Sequence, residues 1–214
     1  KNIFLKNLFK LNKINKKLDF DDIGFIIAPS INSVGRINNA NKVVELLTCN
    51  DELKIKKITA DLFRFNQKRK NIENLIMKKI EYKKLINEKG IIFYYDPEIH
   101  EGIIGIIASK LKDILNKPVI VFTKSNNLIK GSARSIPSFN IGQYIHNALN
   151  NKILSTGGGH NLAAGLSLQK NNFNKFKKYL NRFYINSKFT TSNKFFSKVS
   201  FSSINMNFYK ELSK

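Results

Sequence analysis

The sequence predicts an α/β fold entered through one long connecting helix, and three observations carry that prediction. After Gly90, short apolar runs of strand character alternate with amphipathic runs of helical period. The stretch from Asp51 to about Asn87 contains neither Gly nor Pro. Hydrophobic residues fill 42% of the 214 positions, enough to bury a core in one or two domains.

Taken in order, the first 18 residues place Ile3, Leu5, Leu8, Phe9, Leu11 and Ile14 among lysines, the pattern of a short amphipathic helix plus a turn. Residues 23–28 form a buried apolar segment, read as a strand, that ends at Pro29, and Ala40 to Leu47 is helical. The seam Ile58, Leu62, Phe65, Ile72, Ile76 and Ile80 has helical spacing. A helix from Asp51 to Asn87 would run roughly 55 Å, the length of a connector between two lobes. Strands are then expected at Ile91–Tyr95, Val119–Thr123, Leu128–Arg134 and near Gly165–Leu168. Helices are expected at His100–Leu115, Ile141–Leu149 and Phe173–Phe183, with a glycine-rich turn at 157–159. Beyond Ser187 the composition shifts to Ser, Asn, Lys and Phe, and the alternation from Phe195 to Phe201 suggests a linker entering another strand-rich unit.

The apolar runs are far shorter than the ~20 residues that cross a bilayer, and no signal-peptide pattern opens the sequence. One cysteine, Cys49, cannot form an internal disulfide, so a cytoplasmic location is the default expectation. The net charge of +22 rests on 37 Lys+Arg against 15 Asp+Glu, and only Arg36, Arg64, Arg69, Arg134 and Arg182 among the cations are arginines. Compositional drift toward lysine and a selected polyanion footprint both account for the bulk charge. The five arginines carry more information, because the planar fork is what lysine cannot supply.

Three segments could carry chemistry. In Pro29–Arg36 (PSINSVGR), Asn32 can bond its own backbone and Gly35 permits a positive φ, which describes an ordinary strand-to-helix turn but leaves Arg36 unexplained. Asp96–Leu111 places a helix start after a strand, a ready anion site. There Asp96, Glu98, His100 and Glu101 read as caps and solvent contacts before metal ligands. Lys130–Ser135 (KGSARS) and Thr156–His160 (TGGGH) combine hydroxyls, a bidentate cation and unobstructed backbone, a phosphate-binding chemistry. Asp19, Asp21 and Asp22 read as helix capping rather than a metal centre. No P-loop, dinucleotide fingerprint, zinc spacing or nucleophile elbow is present.

In order and spacing these motifs resemble the RecJ family of the DHH phosphoesterase superfamily. Pro29–Arg36 is similar to that family's PRINAAGR, and Phe65, Asn66, Arg69, Lys70, Ile72 and Glu73 to its LNxxRKxIE. Ile99–Leu111 is similar to WHxGVIGIVASRL, Gly131–Ser135 to GSARS, and Gly158–Ser167 to GGHxxAAGLS. The resemblance implies a piece of a larger protein: the tail of a DHH domain (1–48), a connecting helix (49–89), a DHH-associated domain with a mixed sheet flanked by helices (90–186), and the start of an OB-like domain (187–214). It implies a 5'-to-3' exonuclease for single-stranded DNA in repair and recombination, hydrolysing phosphodiesters with two Mn²⁺ or Mg²⁺ ions whose ligands lie upstream, with none in this chain. It further implies a monomer with no membrane association, and single-strand-binding protein or a helicase as protein partners.

By the same resemblance, Asn32, Arg36, Ser132, Arg134, Ser135, Gly157, Gly158 and Gly159 would bind substrate. His100 and His160 would serve catalysis. The family's Arg after Pro is Ser30 here, and its Trp before His is Ile99. Two other readings stay open: a smaller DHH phosphodiesterase acting on oligoribonucleotides or cyclic dinucleotides, and a non-catalytic nucleic-acid-binding module.

Overall fold

The computed structural model describes residues 2–37, 41–186 and 198–212. Its first lobe is helical: α1 (Ile3–Leu11), α2 (Phe20–Asp22), α3 (Ala28–Ile37) and α4 (Asn41–Thr48) gather around the first half of α5 (Glu52–Lys79). Phe4, Leu8, Val34, Leu46, Ile55, Ile58 and Leu62 form its core. Two of the three acids, Asp19 and Asp22, do cap. Asp19 accepts from the Asp22 N–H at 3.1 Å, and Asp22 accepts from the Asp19 N–H at 3.0 Å, so the two satisfy each other's free donors at the helix start.

Residues 23–28 depart from the expected buried strand. Ile23–Ile27 is a π-helical turn leading directly into α3, with Phe25 76% exposed. Pro29 lies inside this helical run rather than ending a strand, and it lacks the N–H for a regular i→i−4 bond. The wider turn sits where that bond is missing. Gly35 is accordingly helical, and among the described residues no glycine has a positive φ.

The 28 residues of α5 span about 42 Å, less than the expected connector. Ile80 leaves the helix in extended conformation, and α6 (Tyr82–Ile86) follows after a bend. The break has a packing cause, since it lets Ile80 and Leu85 both enter the second core.

A five-stranded sheet builds the second lobe: β1 (Ile92–Tyr95), β2 (Val119–Ser125), β3 (Leu128–Arg134), β4 (Thr156–His160) and β5 (Ala163–Leu168), in the order β1-β2-β3-β5-β4. Only β1 and β2 are parallel, joined by the crossover helix α7 (Ile104–Leu115); every other pairing is antiparallel. One sheet face carries α8 (Ile141–Asn150) and α9 (Phe173–Asn186) over Ile120, Phe122, Ile129, Ala133, Leu166 and Leu168. On the other face α7 and the second half of α5 cover Ile92, Val119 and Val121.

Two further expectations need correction. The helix expected from His100 starts at Ile104, because residues 97–103 turn to let Thr123 donate to the Ile99 carbonyl at 2.6 Å. The glycines at 157–159 are not a turn but most of β4, where small residues let α8 approach: a Cβ on Gly142 would lie 2.6 Å from the His160 carbonyl oxygen. Of the alternating stretch Phe195–Phe201, residues 195–197 lie outside the described residues and 198–200 form no strand. Those that follow form a 3₁₀ turn at Phe201–Ser203 and helix α10 (Met206–Leu212). No described helix is long and apolar enough to cross a membrane.

Candidate nucleic-acid interface

Strand register creates a platform on the sheet face that α7 leaves bare. Directly paired residues point to the same side, so three rows run across β3, β5 and β4: Lys130–Ser167–Thr156, Ser132–Gly165–Gly158 and Arg134–Ala163–His160. All nine are exposed or half-buried, whereas Ile129, Ala133, Ala164, Leu166 and Leu168 between them are buried. The rows combine cations and hydroxyls with positions that carry little or no side chain. Such a floor admits a flat or extended ligand close to the backbone.

Helix α7 forms one wall. Gly105, in its first turn, is so near that a Cβ there would meet Ser132 Oγ at 3.1 Å and Arg134 Nη2 at 3.2 Å. Arg134 is fixed by three donations: Nε to Ser109 Oγ (3.1 Å), and Nη1 to Ser132 Oγ (3.2 Å) and to the Ala133 carbonyl (2.8 Å). Burial first, and then the positive charge of Arg36, hold its guanidinium below the usual arginine range.

Arg36 reaches this site from the first lobe. It stands one helical turn after Asn32 on α3, while Ser30, Ser33 and Val34 turn into the interior. Its Nη1 donates to the Gly102 carbonyl at 3.0 Å, bridging the lobes. Arg36, Gly102, Gly105, Lys130, Ser132 and Arg134 line one cleft of about 360 Å³. Glu101 stands at its rim, bonded by Lys130 (3.1 Å) and Ser125 (3.0 Å), which hold its carboxyl below the usual range. Among the described residues neither Arg36 nor Arg134 is paired with a carboxylate. Two mutually repelling cations in one cleft, with the amino-terminal turn of α7 in its wall, leave a surplus of positive potential that an anion would satisfy.

Comparison with known proteins places this geometry. Residues 87–186 match the family model described as the DHHA1 domain. The single-stranded-DNA-specific exonuclease RecJ of Haemophilus influenzae is 36% identical over 183 residues, which are 80% of this chain and 31% of that protein. RecJ of Escherichia coli K12 is 32% identical over 176 residues, 78% of this chain and 30% of that one. A crystal structure of Thermus thermophilus RecJ with Mg²⁺ superposes with a TM-score of 0.71 at 26% identity, over 86% of this chain and 28% of the other. The chain carries a DHHA1 domain and is similar to RecJ over four fifths of its length. It spans about a third of the length of the RecJ proteins it matches.

Set against that RecJ framework, the residues singled out in the sequence fall into distinct places. Arg36, Ser132 and Arg134 meet in the 360 Å³ cleft. Asn32 lines a separate cleft of about 240 Å³ on the other side of Arg36. Gly158 lies open on the platform, whereas Gly157 faces Ile145 and Leu154, and Gly159 presses on Ala164. His160 shares Arg134's row two strands away, about 10 Å across the sheet. His100 is exposed, its Nδ1 accepting from the Gly102 N–H at 3.1 Å, and it lines neither cleft. Ser135 is buried, its Oγ donating to the Phe139 carbonyl at 2.6 Å. Its hydroxyl therefore fastens the loop after β3. Ser135→Ala is expected to cost about 1–2 kcal/mol of stability in thermal or urea unfolding and to leave strand affinity unchanged, with Ser132→Ala showing the reverse.

Sequence inspection missed Lys130, Gly102 and Arg69. Lys130 was legible from the alternation of β3, which repeats every second residue. Gly102 acts through a contact between lobes, for which a single sequence carries no local signal, whereas Arg69 is held within α5 by Asn66 and Glu73 at helical spacing.

Proposed function

We propose that this chain is the strand-binding part of a RecJ-like exonuclease that hydrolyses phosphodiester bonds in single-stranded DNA, 5' to 3', during DNA repair and recombination. The observation that carries the proposal is the meeting of Arg36 and Arg134 in one cleft without an acidic partner among the described residues. Arg134 would clamp a backbone phosphate with its planar fork and Ser132 would add a hydroxyl donor. Arg36, Lys130 and the α7 amino terminus would neutralise further charge. The bare rows of β3, β5 and β4 would leave room for sugar and base, and His160 at the end of the Arg134 row would reach the same strand.

The Mg²⁺ and Mn²⁺ of the Thermus thermophilus RecJ structures belong to those proteins. Among the described residues of this chain no three His, Cys, Asp or Glu side chains gather as a metal site. This donor set does not fit the ions, and no chemical step is routed through them here. On the proposed reading, two divalent ions are held by other parts of a longer protein. Single-strand-binding protein or a helicase, and a monomeric state, belong to the same reading.

Titration of a labelled oligothymidylate with the purified chain tests it by fluorescence anisotropy. Binding is expected to weaken with salt at a slope of about −0.7 per phosphate contacted, to exceed binding of a duplex of equal length, and to proceed without cleavage when Mn²⁺ is added. Equal affinity for duplex and single strand, or cleavage by this chain, would overturn the reading.

A further inference from the structure

The 240 Å³ cleft beyond Arg36 is lined by Asn32, Pro29 and Gly24 of the π-turn and α3 region, by Ile106 of α7, and by Arg69 of α5. Arg69 is the unexpected member. Its side chain is only 11% exposed and is held on three sides within its own helix: Nε and Nη2 donate to Asn66 Oδ1 at 3.1 and 3.0 Å, and Nη1 to Glu73 Oε2 at 2.8 Å. Asn66 is in turn anchored through its donation to Ser30 Oγ at 3.4 Å. The guanidinium plane is thus fixed before any ligand arrives.

Charge counting shows that this cluster is not a closed ion pair. Glu73, buried at 4% exposure, also receives Lys110 from α7, so one carboxylate serves two cations. The triad keeps a net positive charge at the waist of the molecule. Lys110 is 47% exposed and partly solvated, so within the buried part of the triad Glu73 is shared rather than reserved for Arg69. Of the five N–H donors of a guanidinium, Arg69 spends three on Asn66 and Glu73. The others have no partner among the described residues, and the group lines the cleft that also holds Arg36. The π-turn Ile23–Ile27 forms another part of the lining, and an added Cβ on its Gly24 would meet nothing within 4 Å. Helical irregularity of this kind is concentrated at functional sites.

We propose that Arg69, Arg36 and Asn32 form a second phosphate subsite, for the phosphate next to the one clamped at Arg134, with Arg36 shared between the two. The proposal rests on the strand-binding reading above and deepens it. A strand would then cross the interlobe seam at Arg36, one phosphate on each side, with Glu73 as the positioning residue that aims Arg69.

The test compares wild type with Asn32→Asp, Arg69→Gln and Arg134→Ala for binding of a labelled oligothymidylate across a salt series, with melting temperature as the fold control. Asn32 is exposed, and its side chain makes no hydrogen bond among the described residues, so its carboxylate replacement leaves the fold intact while placing a negative charge between two arginines. Asn32→Asp is expected to bind about tenfold more weakly. Arg69→Gln is expected to lose about 0.7 from the salt slope, the value of one single-strand phosphate. If Arg69→Gln melts early, Asn32→Asp decides alone. Wild-type affinity and slope in both variants, with Arg134→Ala impaired, would overturn the second subsite and leave strand binding standing. No binding by wild type would overturn both.

Discussion

Gly102→Ala is expected to remove most strand binding and to lower stability by about 2 kcal/mol or more. A Cβ at this position would lie 2.1 Å from the Arg36 carbonyl oxygen and 2.9 Å from its Cα, a collision with backbone that no rotamer relieves. Either the turn before α7 or the last turn of α3 must retreat. In both cases the Arg36 donation to the Gly102 carbonyl is lost and the two cationic walls separate. Overpacking of this kind costs about 1–3 kcal/mol, and a hydrogen bond from a charged donor adds about 1.5–3 kcal/mol. Calorimetry and anisotropy on one preparation measure both effects. Gly165→Ala is the control: its methyl would meet nothing within 4 Å, so it should keep the wild-type melting temperature. Equal stability of Gly102→Ala and wild type would show that the lobes do not meet through this glycine.

Arg134→Ala carries the second large effect, concentrated in binding. Its guanidinium spends donors on Ser109, Ser132 and the Ala133 carbonyl while lying close enough to Arg36 to be repelled by it. Removal therefore costs hydrogen bonds but relieves a like-charge contact, and unfolding stability should fall by less than about 1 kcal/mol. Strand affinity should fall by about 10- to 100-fold, the worth of a charge-assisted hydrogen bond, and the salt slope by about 0.7. Arg134→Lys separates charge from geometry. It should restore the slope but not the affinity, because an ammonium has no planar fork to hold Ser132 and a phosphate together.

How far the site could be read from sequence depends on whether its cause is local. The outward set Lys130, Ser132 and Arg134 follows from alternation along β3, and the α5 seam from helical spacing, so both were accessible. The segment Ile23–Pro29 was not. A short apolar run before a proline satisfies strand and buried-helix patterns equally, and what selected the helix was the packing of Ser33 and Val34 into the first core. The three glycines of β4 read as a turn because what they face is remote in sequence or absent: Gly157 meets Ile145 of α8 and Leu154, Gly159 meets Ala163 and Ala164 of β5, and Gly158 meets nothing within 4 Å. Asn66, Arg69 and Glu73 look like a solvated polar stripe, yet they lie between two apolar cores. Ile99 looks like a surface position beside the polar residues 96–101, yet it is buried in the second core.

Helix α5 contributes Ile55, Ile58 and Leu62 to the first core and Ile76 to the second, with Ile80 just past its end, so neither lobe owns its hydrophobic interior outright. Melting of either lobe strips one end of the shared helix and withdraws apolar cover from the other, which couples the two into a single cooperative transition. A fragment cut to residues 87–186 would leave Ile103, Ile104 and Ile107 without the α5 side chains that shield them, and would be prone to self-association. The unit of folding is therefore larger than the stretch that matches the DHHA1 domain.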